Sequence, residues 1–227
     1  MDNFPYRKTQ NCVQKIIDPF TEKNHMKTFW DERYSQEEYV YGTEPNEFFR
    51  AQLPLLEPKN ILLPAEGEGR NAVYAARLGW NVHAFDQSTE GRKKAFALAK
   101  LQNVTIAYEI ADVLTIKLPP QHFDAIGLFY AHFPVEQREE IYARLLSSLC
   151  PNGMIIFEAF SSQQIQYQEK YGSGGPQQKK LLFTVTDVEN LFAHCEFLIL
   201  EEKEILLAEG KFHNGKASVV RCVARKR

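Results

Sequence analysis

The chain of 227 residues predicts an α/β fold: a mostly parallel, seven-stranded sheet with helices on both faces and an antiparallel last strand. Three observations predict it. Short apolar runs alternate with helix-like stretches from residue 61 to 157, the rhythm of βαβ units. A glycine loop, Gly67-Glu68-Gly69-Arg70-Asn71-Ala72, stands between the first such run and its helix. Near the end, Asn214-Gly215 marks a hairpin, which turns the last strand against its predecessor.

The elements follow in order. Residues 1–25 carry one short apolar patch, Cys12 to Ile17, and read as an extension that packs on the domain or frays, with the domain proper over 26–227. "FWDERYSQEEYVYG" sets Phe29, Trp30, Tyr34, Tyr39 and Tyr41 among charges, and "EPNEFFRAQLPLL" is a helix entering at Pro45. Ile61–Leu63 is a buried strand, Arg70–Leu78 a helix closed by Gly79, and Val82–Phe85 the second strand. Thr89–Lys100 is helical, Val104–Ile110 a third strand ending near Asp112, and Phe123–Phe129 a fourth. Val135–Leu149 is a helix ended by the turn Pro151-Asn152-Gly153, and Met154–Phe157 the fifth strand. A polar loop, Ser161 to Lys180, suits a lid or a disordered surface loop. Thr186–Ala193 is a helix, Glu196–Leu207 the sixth strand and Ala217–Ala224 the seventh.

Composition narrows the function. At 44% apolar content the chain can bury one substantial core. Its 27 Lys+Arg against 29 Asp+Glu give no global attraction to nucleic acid or to an anionic membrane, and neither partner is expected. Cys12, Cys150, Cys195 and Cys222 form no CxxC pair, and no signal-peptide core is evident, so reduced thiols in a cytoplasmic protein are expected. The six histidines lack HxxxH or HExxH spacing, and no metal is expected.

The loop carries the chemistry. Glycines let the backbone turn sharply and approach a ligand at a helix N-terminus. Asp86, 17 residues after Gly69 and at the end of a strand, can accept both hydroxyls of a ribose. Glu66 and Glu68 would repel a dinucleotide's pyrophosphate. They suit S-adenosylmethionine, which brings an ammonium and a sulfonium to the same place. Arg70 or the helix N-terminus can receive that ligand's carboxylate. Asp112 can accept from an adenine amino group, or else cap a helix.

These segments resemble the class I S-adenosylmethionine-dependent methyltransferases, most closely the branch of the tellurite-resistance and thiopurine methyltransferases. The likeness runs from about Lys27 to the C-terminus. It rests on "FWDERY", "YGTEPNEFF", "LLPAEGEGRNAVYAARLGWNVHAFDQS", "IADV", "FDAIGLFYAHFP" and "CPNGMIIFEAF". It implies a Rossmann-like three-layer α/β/α sandwich, with S-adenosylmethionine as donor and S-adenosylhomocysteine as product. By the same resemblance Ala65, Glu66, Gly67 and Gly69 cradle the methionine beside Arg70 and Asn71, and Asp86 takes the ribose. Gln87 lies against the adenine, Asp112 and Val113 at its amino edge, and Phe129 and Tyr130 near the sulfonium. Trp30, Tyr34 and Tyr41 belong to a segment that closes over the cofactor, where aromatic faces suit a cation. Two positions depart from the pattern: Leu63 stands where many members have an acid, and Ala65 where a first glycine is common.

The expected reaction is in-line methyl transfer to a small-molecule acceptor. A soft sulfur, selenium or tellurium nucleophile needs little beyond positioning and deprotonation, whereas oxygen or nitrogen calls for a general base. His132 and Glu158, at carboxyl ends of strands, are the candidates for that base. The alternatives are a nicotinamide-dependent oxidoreductase and a non-catalytic S-adenosylmethionine-binding partner protein.

Overall fold

The computed structural model describes residues 19–227. The extension expected over 1–25 lies outside them as far as residue 18; residues 19–25 already belong to α1, Pro19–Tyr34. Then follow α2 (Glu47–Gln52), β1 (Asn60–Pro64), α3 (Arg70–Arg77), β2 (Asn81–Asp86), α4 (Thr89–Leu101), β3 (Ala107–Ile110) and β4 (Phe123–Phe129). The second half adds α5 (Arg138–Ser148), β5 (Leu149–Phe160), α6 (Gln164–Tyr171), α7 (Val185–Leu191), β6 (Cys195–Glu209) and β7 (His213–Lys226).

The seven strands form one sheet in the order β3-β2-β1-β4-β5-β7-β6. Neighbours from β3 to β5 are parallel, and β7 runs antiparallel to both β5 and β6. Alternation along each strand explains the layers, because successive side chains leave opposite faces. Leu62, Phe85, Ile126 and Phe157 pack with Ile141, Tyr142 and Leu145 of α5 and Val188 of α7. Their neighbours Ile61, Leu63, Ala84 and Ile156 pack instead with Phe48 and Phe49 of α2, Val73 of α3 and Ala95 and Leu98 of α4. The result is a Rossmann-like α/β/α sandwich with a mixed sheet, as expected.

Several boundaries differ from the sequence expectations, each for a local reason. Asn46, not Pro45, caps α2, its Oδ1 accepting from Phe49 N at 3.0 Å. Only Ala107–Ile110 of the third strand pairs, with His83–Asp86. Residues 135–137 form a 3-10 turn, so α5 starts at Arg138. Pro151-Asn152-Gly153 does not precede the fifth strand but bulges within it. Pairing passes from Phe123↔Leu149 to Ala125↔Met154, and Asn152 takes a φ of 62°. The polar stretch 161–180 holds α6, tied down by buried Gln164, whose Nε2 donates to Gly174 O at 2.8 Å and whose Oε1 accepts from Ser218 N at 2.8 Å.

The hairpin is corrected too. Asn214 and Gly215 lie inside β7, opposite Ala208 and Leu207, and the turn is Gly210-Lys211-Phe212. Gly210 adopts a φ of 72°, and a Cβ there would stand 2.5 Å from Val40 O and 2.7 Å from Tyr41 Cα. A tertiary contact, invisible to local turn statistics, selects the glycine and brings the hairpin tip over residues 40–42.

Candidate functional site

Ala65 follows β1, Asp86 ends β2, Asp112 follows β3 and Tyr130 follows β4, so the candidate residues converge on the carboxyl edge of the sheet. β1 and β4 flank the point where strand order reverses, the usual ligand position in such sheets. Both strands are followed by a non-glycine residue in the left-handed region: Ala65 at φ 52° and Tyr130 at φ 54°. Each such residue costs about 1–3 kcal/mol and persists where the surroundings hold it. Tyr130 is held by its amide on Glu158 O at 2.9 Å and its hydroxyl on Glu158 Oε1 at 2.7 Å.

The loop is fixed from several sides. Asp86 Oδ2 accepts from Gly67 N at 3.0 Å and Oδ1 from Ser88 N at 2.8 Å. Tyr108 donates to Gly67 O at 2.6 Å. Tyr34 of α1 covers the other side, its hydroxyl 2.6 Å from where a Cβ on Gly67 would stand, and Trp30 stacks on Tyr34 at 5.4 Å. Tyr41 lies 6.5 Å from Tyr34 and accepts from Arg33 Nη1 at 3.1 Å. α1 is anchored by Asp31, whose Oδ1 accepts from Ser88 Oγ, Thr89 N and Glu90 N at 2.7, 2.8 and 3.2 Å. That carboxylate satisfies free amides at the start of α4, where the helix dipole favours an anion.

Charges around the loop divide into matched and unmatched. Glu68 accepts from Val40 N at 2.9 Å and pairs with Lys94 Nζ at 2.8 Å, so its charge is spent on fastening the 40–41 segment. Arg70 pairs with Glu209 Oε2 at 2.8 Å and donates to Tyr41 O. Burial alone would raise Glu209, but the Arg70 charge holds it at about 2. Glu66 and Asp86 have no cation in contact among the described residues. Glu66 accepts from Ala72 N at 2.7 Å and Asn71 Nδ2 at 3.4 Å, yet burial pushes it up to about 7. Asp86 is likewise raised by burial, against its bonds from the Ser88, Gly67 and Gln87 amides. Three buried carboxylates and the nearly buried Glu209 therefore share two cations, and a ligand bearing positive charge fits the deficit.

A pH signature follows. Glu66 is raised from 4.5 to about 7 by folding, so the folded state holds the extra proton between those values. Its contribution is most favourable below pH 4.5, declines as pH rises towards 7, and above that leaves a constant cost of about 3 kcal/mol. Glu66→Gln keeps an acceptor for Ala72 N without the charge. Thermal melts of the ligand-free protein are expected to show the variant gaining on the wild type from pH 5 to pH 8. A gap independent of pH would contradict the assignment.

The remaining candidates are placed as follows. Gln87 is half-buried beside Asp86, and Val113 is buried in the core with Phe85. Asp112 Oδ1 accepts from Leu114 N at 2.8 Å in a turn, not at a helix start. Phe129 packs on Phe49 at 4.8 Å. Leu63 is fully buried over Gly127, where a Cβ would stand 2.6 Å from its Cδ2, so that position is apolar packing. Glu158 is committed to three donors: Asn46 Nδ2 at 2.6 Å, Tyr130 Oη at 2.7 Å and Arg221 Nε at 2.5 Å. His132 faces Leu181 O through Nδ1 at 2.9 Å, its Nε2 is buried without a hydrogen-bond partner among the described residues, and burial lowers it to about 4. Sequence reasoning missed Asp31, Asn46, Tyr108, Glu209 and His213. Asp31 and Asn46 lie inside quoted motifs, whereas Glu209 and His213 reach the site only through the hairpin tip.

Residues 61–153 match the family model of a methyltransferase domain. Among solved structures, the chain is similar to one described for the conversion of a disulfide bond into a thioacetal group during echinomycin biosynthesis (TM-score 0.71, 15% identity, covering 89% of this chain and 92% of that one). It is also similar to TehB from Haemophilus influenzae (0.66, 17%, covering 88% and 67%). A third likeness is to the N-methyltransferase NodS from Bradyrhizobium japonicum WM9 in complex with S-adenosyl-L-homocysteine (0.65, 13%, covering 88% and 97%). At these identities the structural likenesses establish the fold.

Proposed function

We propose that this class I S-adenosylmethionine-dependent methyltransferase acts on a small molecule whose acceptor atom is a soft sulfur, selenium or tellurium nucleophile. The observation that carries the cofactor's placement is the pair of unmatched buried carboxylates, Glu66 and Asp86, flanking the glycine turn. When bound, the donor supplies a methyl group already activated by its sulfonium. The protein's part is to hold and to exclude water. Glu66 would face the ammonium, Asp86 would accept from the ribose hydroxyls, and Trp30, Tyr34 and Tyr41 would cover the donor. Gln87, Asp112 and Val113 border the adenine, and Phe129 borders the sulfonium. Positioning of this kind is worth effective molarities of about 10⁵–10⁸ M.

Three features support the soft acceptor: the motif likeness to the tellurite-resistance and thiopurine branch, the structural likeness to TehB, and the sulfur chemistry described for the echinomycin structure. A nicotinamide oxidoreductase is disfavoured because its pyrophosphate would meet the buried Glu66 at the glycine turn, and because the last strand is antiparallel.

S-adenosylhomocysteine at 100 times its dissociation constant is expected to stabilise the fold by about 2.7 kcal/mol. Asp86→Ala should weaken its binding by about 10- to 100-fold, the loss of charge-assisted ribose bonds worth about 1.4–3 kcal/mol. Calorimetry on the folded variant checks this, and unchanged affinity removes the ribose role. A thermal shift with NADH but none with S-adenosylhomocysteine overturns the reading. Labelled methyl transfer onto thiols, tellurite and metabolite extracts tests the acceptor.

A further inference from the structure

Neither base candidate is free to take a proton: Glu158 already accepts from three donors, and His132 has one nitrogen on a carbonyl and the other buried. A second imidazole stands at the same edge. Glu209 ends β6 and His213 begins β7, paired directly across the hairpin. His213 Nδ1 is buried, makes no hydrogen bond among the described residues, and lies 3.5 Å from Glu209 Oε2, within ion-pair range; the two side chains are 7% and 11% exposed. Its Nε2 has no hydrogen-bond partner among the described residues. The ring lies 4.5 Å from Tyr130, 4.5 Å from Tyr41 and 5.2 Å from Phe160, which places it beside the residue that follows β4.

We propose that His213 is the proton acceptor in methyl transfer and that Glu209 is its positioning residue, the base that a soft acceptor needs when it arrives protonated, as a thiol or selenol. This rests on the methyltransferase reading above. Glu209 is itself held by Arg70 and by Asn46 Nδ2 at 3.2 Å, so a closing of the 3.5 Å gap to His213 Nδ1 would select the Nδ1–H tautomer and leave the Nε2 lone pair to accept the proton. His213 Nε2 takes the proton as the acceptor sulfur or selenium bonds to the methyl carbon. The electron pair of the broken carbon–sulfur bond stays on the donor's sulfur. The imidazolium then lies against Glu209, and release of its proton to solvent restores the base. The titratable and charged groups around His213 are Glu209 from β6, Arg70 from α3, Arg33 from α1, Tyr41, Tyr130 and, across Phe160, His132. Burial, Arg70 and Arg33 lower its proton affinity while Glu209 raises it, with a net lowering from the usual imidazole value.

Nitrogen-15 NMR of histidine-labelled full-length protein saturated with S-adenosylhomocysteine tests the pair without turnover, with His213→Gln assigning the signal. The expected result is an Nδ1–H tautomer whose titration midpoint falls by about one unit or more in Glu209→Gln. In the turnover arm, His213→Gln is expected to lower kcat on 2-mercaptoethanol about 10²-fold and to abolish its rise with pH, while thiophenol, which ionises unaided near neutral pH, loses far less and KM for S-adenosylmethionine stays within about twofold. An Nε2–H tautomer, or a variant with wild-type kcat and pH profile, overturns the base. Absence of wild-type turnover on both thiols overturns the acceptor class. Failure of the wild type to bind S-adenosylhomocysteine in calorimetry instead removes the methyltransferase reading beneath it.

Discussion

Glu158→Ala is expected to lose about 3–5 kcal/mol of folding stability, the usual cost of removing one partner from a buried ion pair. The carboxylate is 1% exposed and joins three parts of the chain. Asn46 brings the start of α2, Tyr130 the strained end of β4, and Arg221 the antiparallel strand β7. Truncation leaves the Arg221 guanidinium, 12% exposed, without an anion, and takes the acceptor from the Tyr130 hydroxyl. Urea unfolding should show a lower midpoint at unchanged slope. Melting should fall by about 6–20 °C for a chain of this size. Glu158→Gln, which keeps an acceptor for Asn46 and Tyr130, should retain turnover. If Glu158→Ala instead melts like the wild type and loses only activity, Glu158 is the base and the His213 assignment fails with it.

Strands were legible because burial repeats along them: Leu62 faces one helical layer while Ile61 and Leu63 face the other, and the sequence shows this as short apolar runs. The order of elements followed from those runs and the glycines between them. What could not be read was pairing at a distance. Glu66 and Glu68 look equivalent in sequence, yet Lys94, 26 residues on, neutralises Glu68 alone. Arg70 looks available for a ligand's carboxylate until Glu209, 139 residues away, closes on it. The hairpin turn was misplaced for the same reason. Asn-Gly is the stronger local signal, but Gly210 is the position that must lie against Val40 and Tyr41. Site residues supplied by that tip, Glu209 and His213, were therefore beyond reach of local pattern.

Gly69→Ala is the other change with a large expected effect, because it tests what the second glycine of the loop is for. The sequence pattern assigns glycines there to close approach of a ligand. In the structure Gly69 has a φ of 85° and stands at the start of α3 with α4 pressed against it. A Cβ would come 2.4 Å from Ala95 Cβ and 2.8 Å from Ala95 Cα, so the backbone of α4 has to move. Left-handed strain of about 1–2 kcal/mol and overpacking of about 1–3 kcal/mol together predict a loss of roughly 2–5 kcal/mol. Gly67→Ala supplies the contrast. Its Cβ would meet the Tyr34 hydroxyl at 2.6 Å, the end of a side chain and not a helix backbone. Its loss should stay near the 1–2 kcal/mol of backbone strain, with a greater effect on cofactor affinity. Denaturant midpoints and S-adenosylhomocysteine calorimetry on the two variants separate the roles. Equal midpoints, with affinity lost mainly in Gly69→Ala, would mean that the second glycine faces the ligand and not α4.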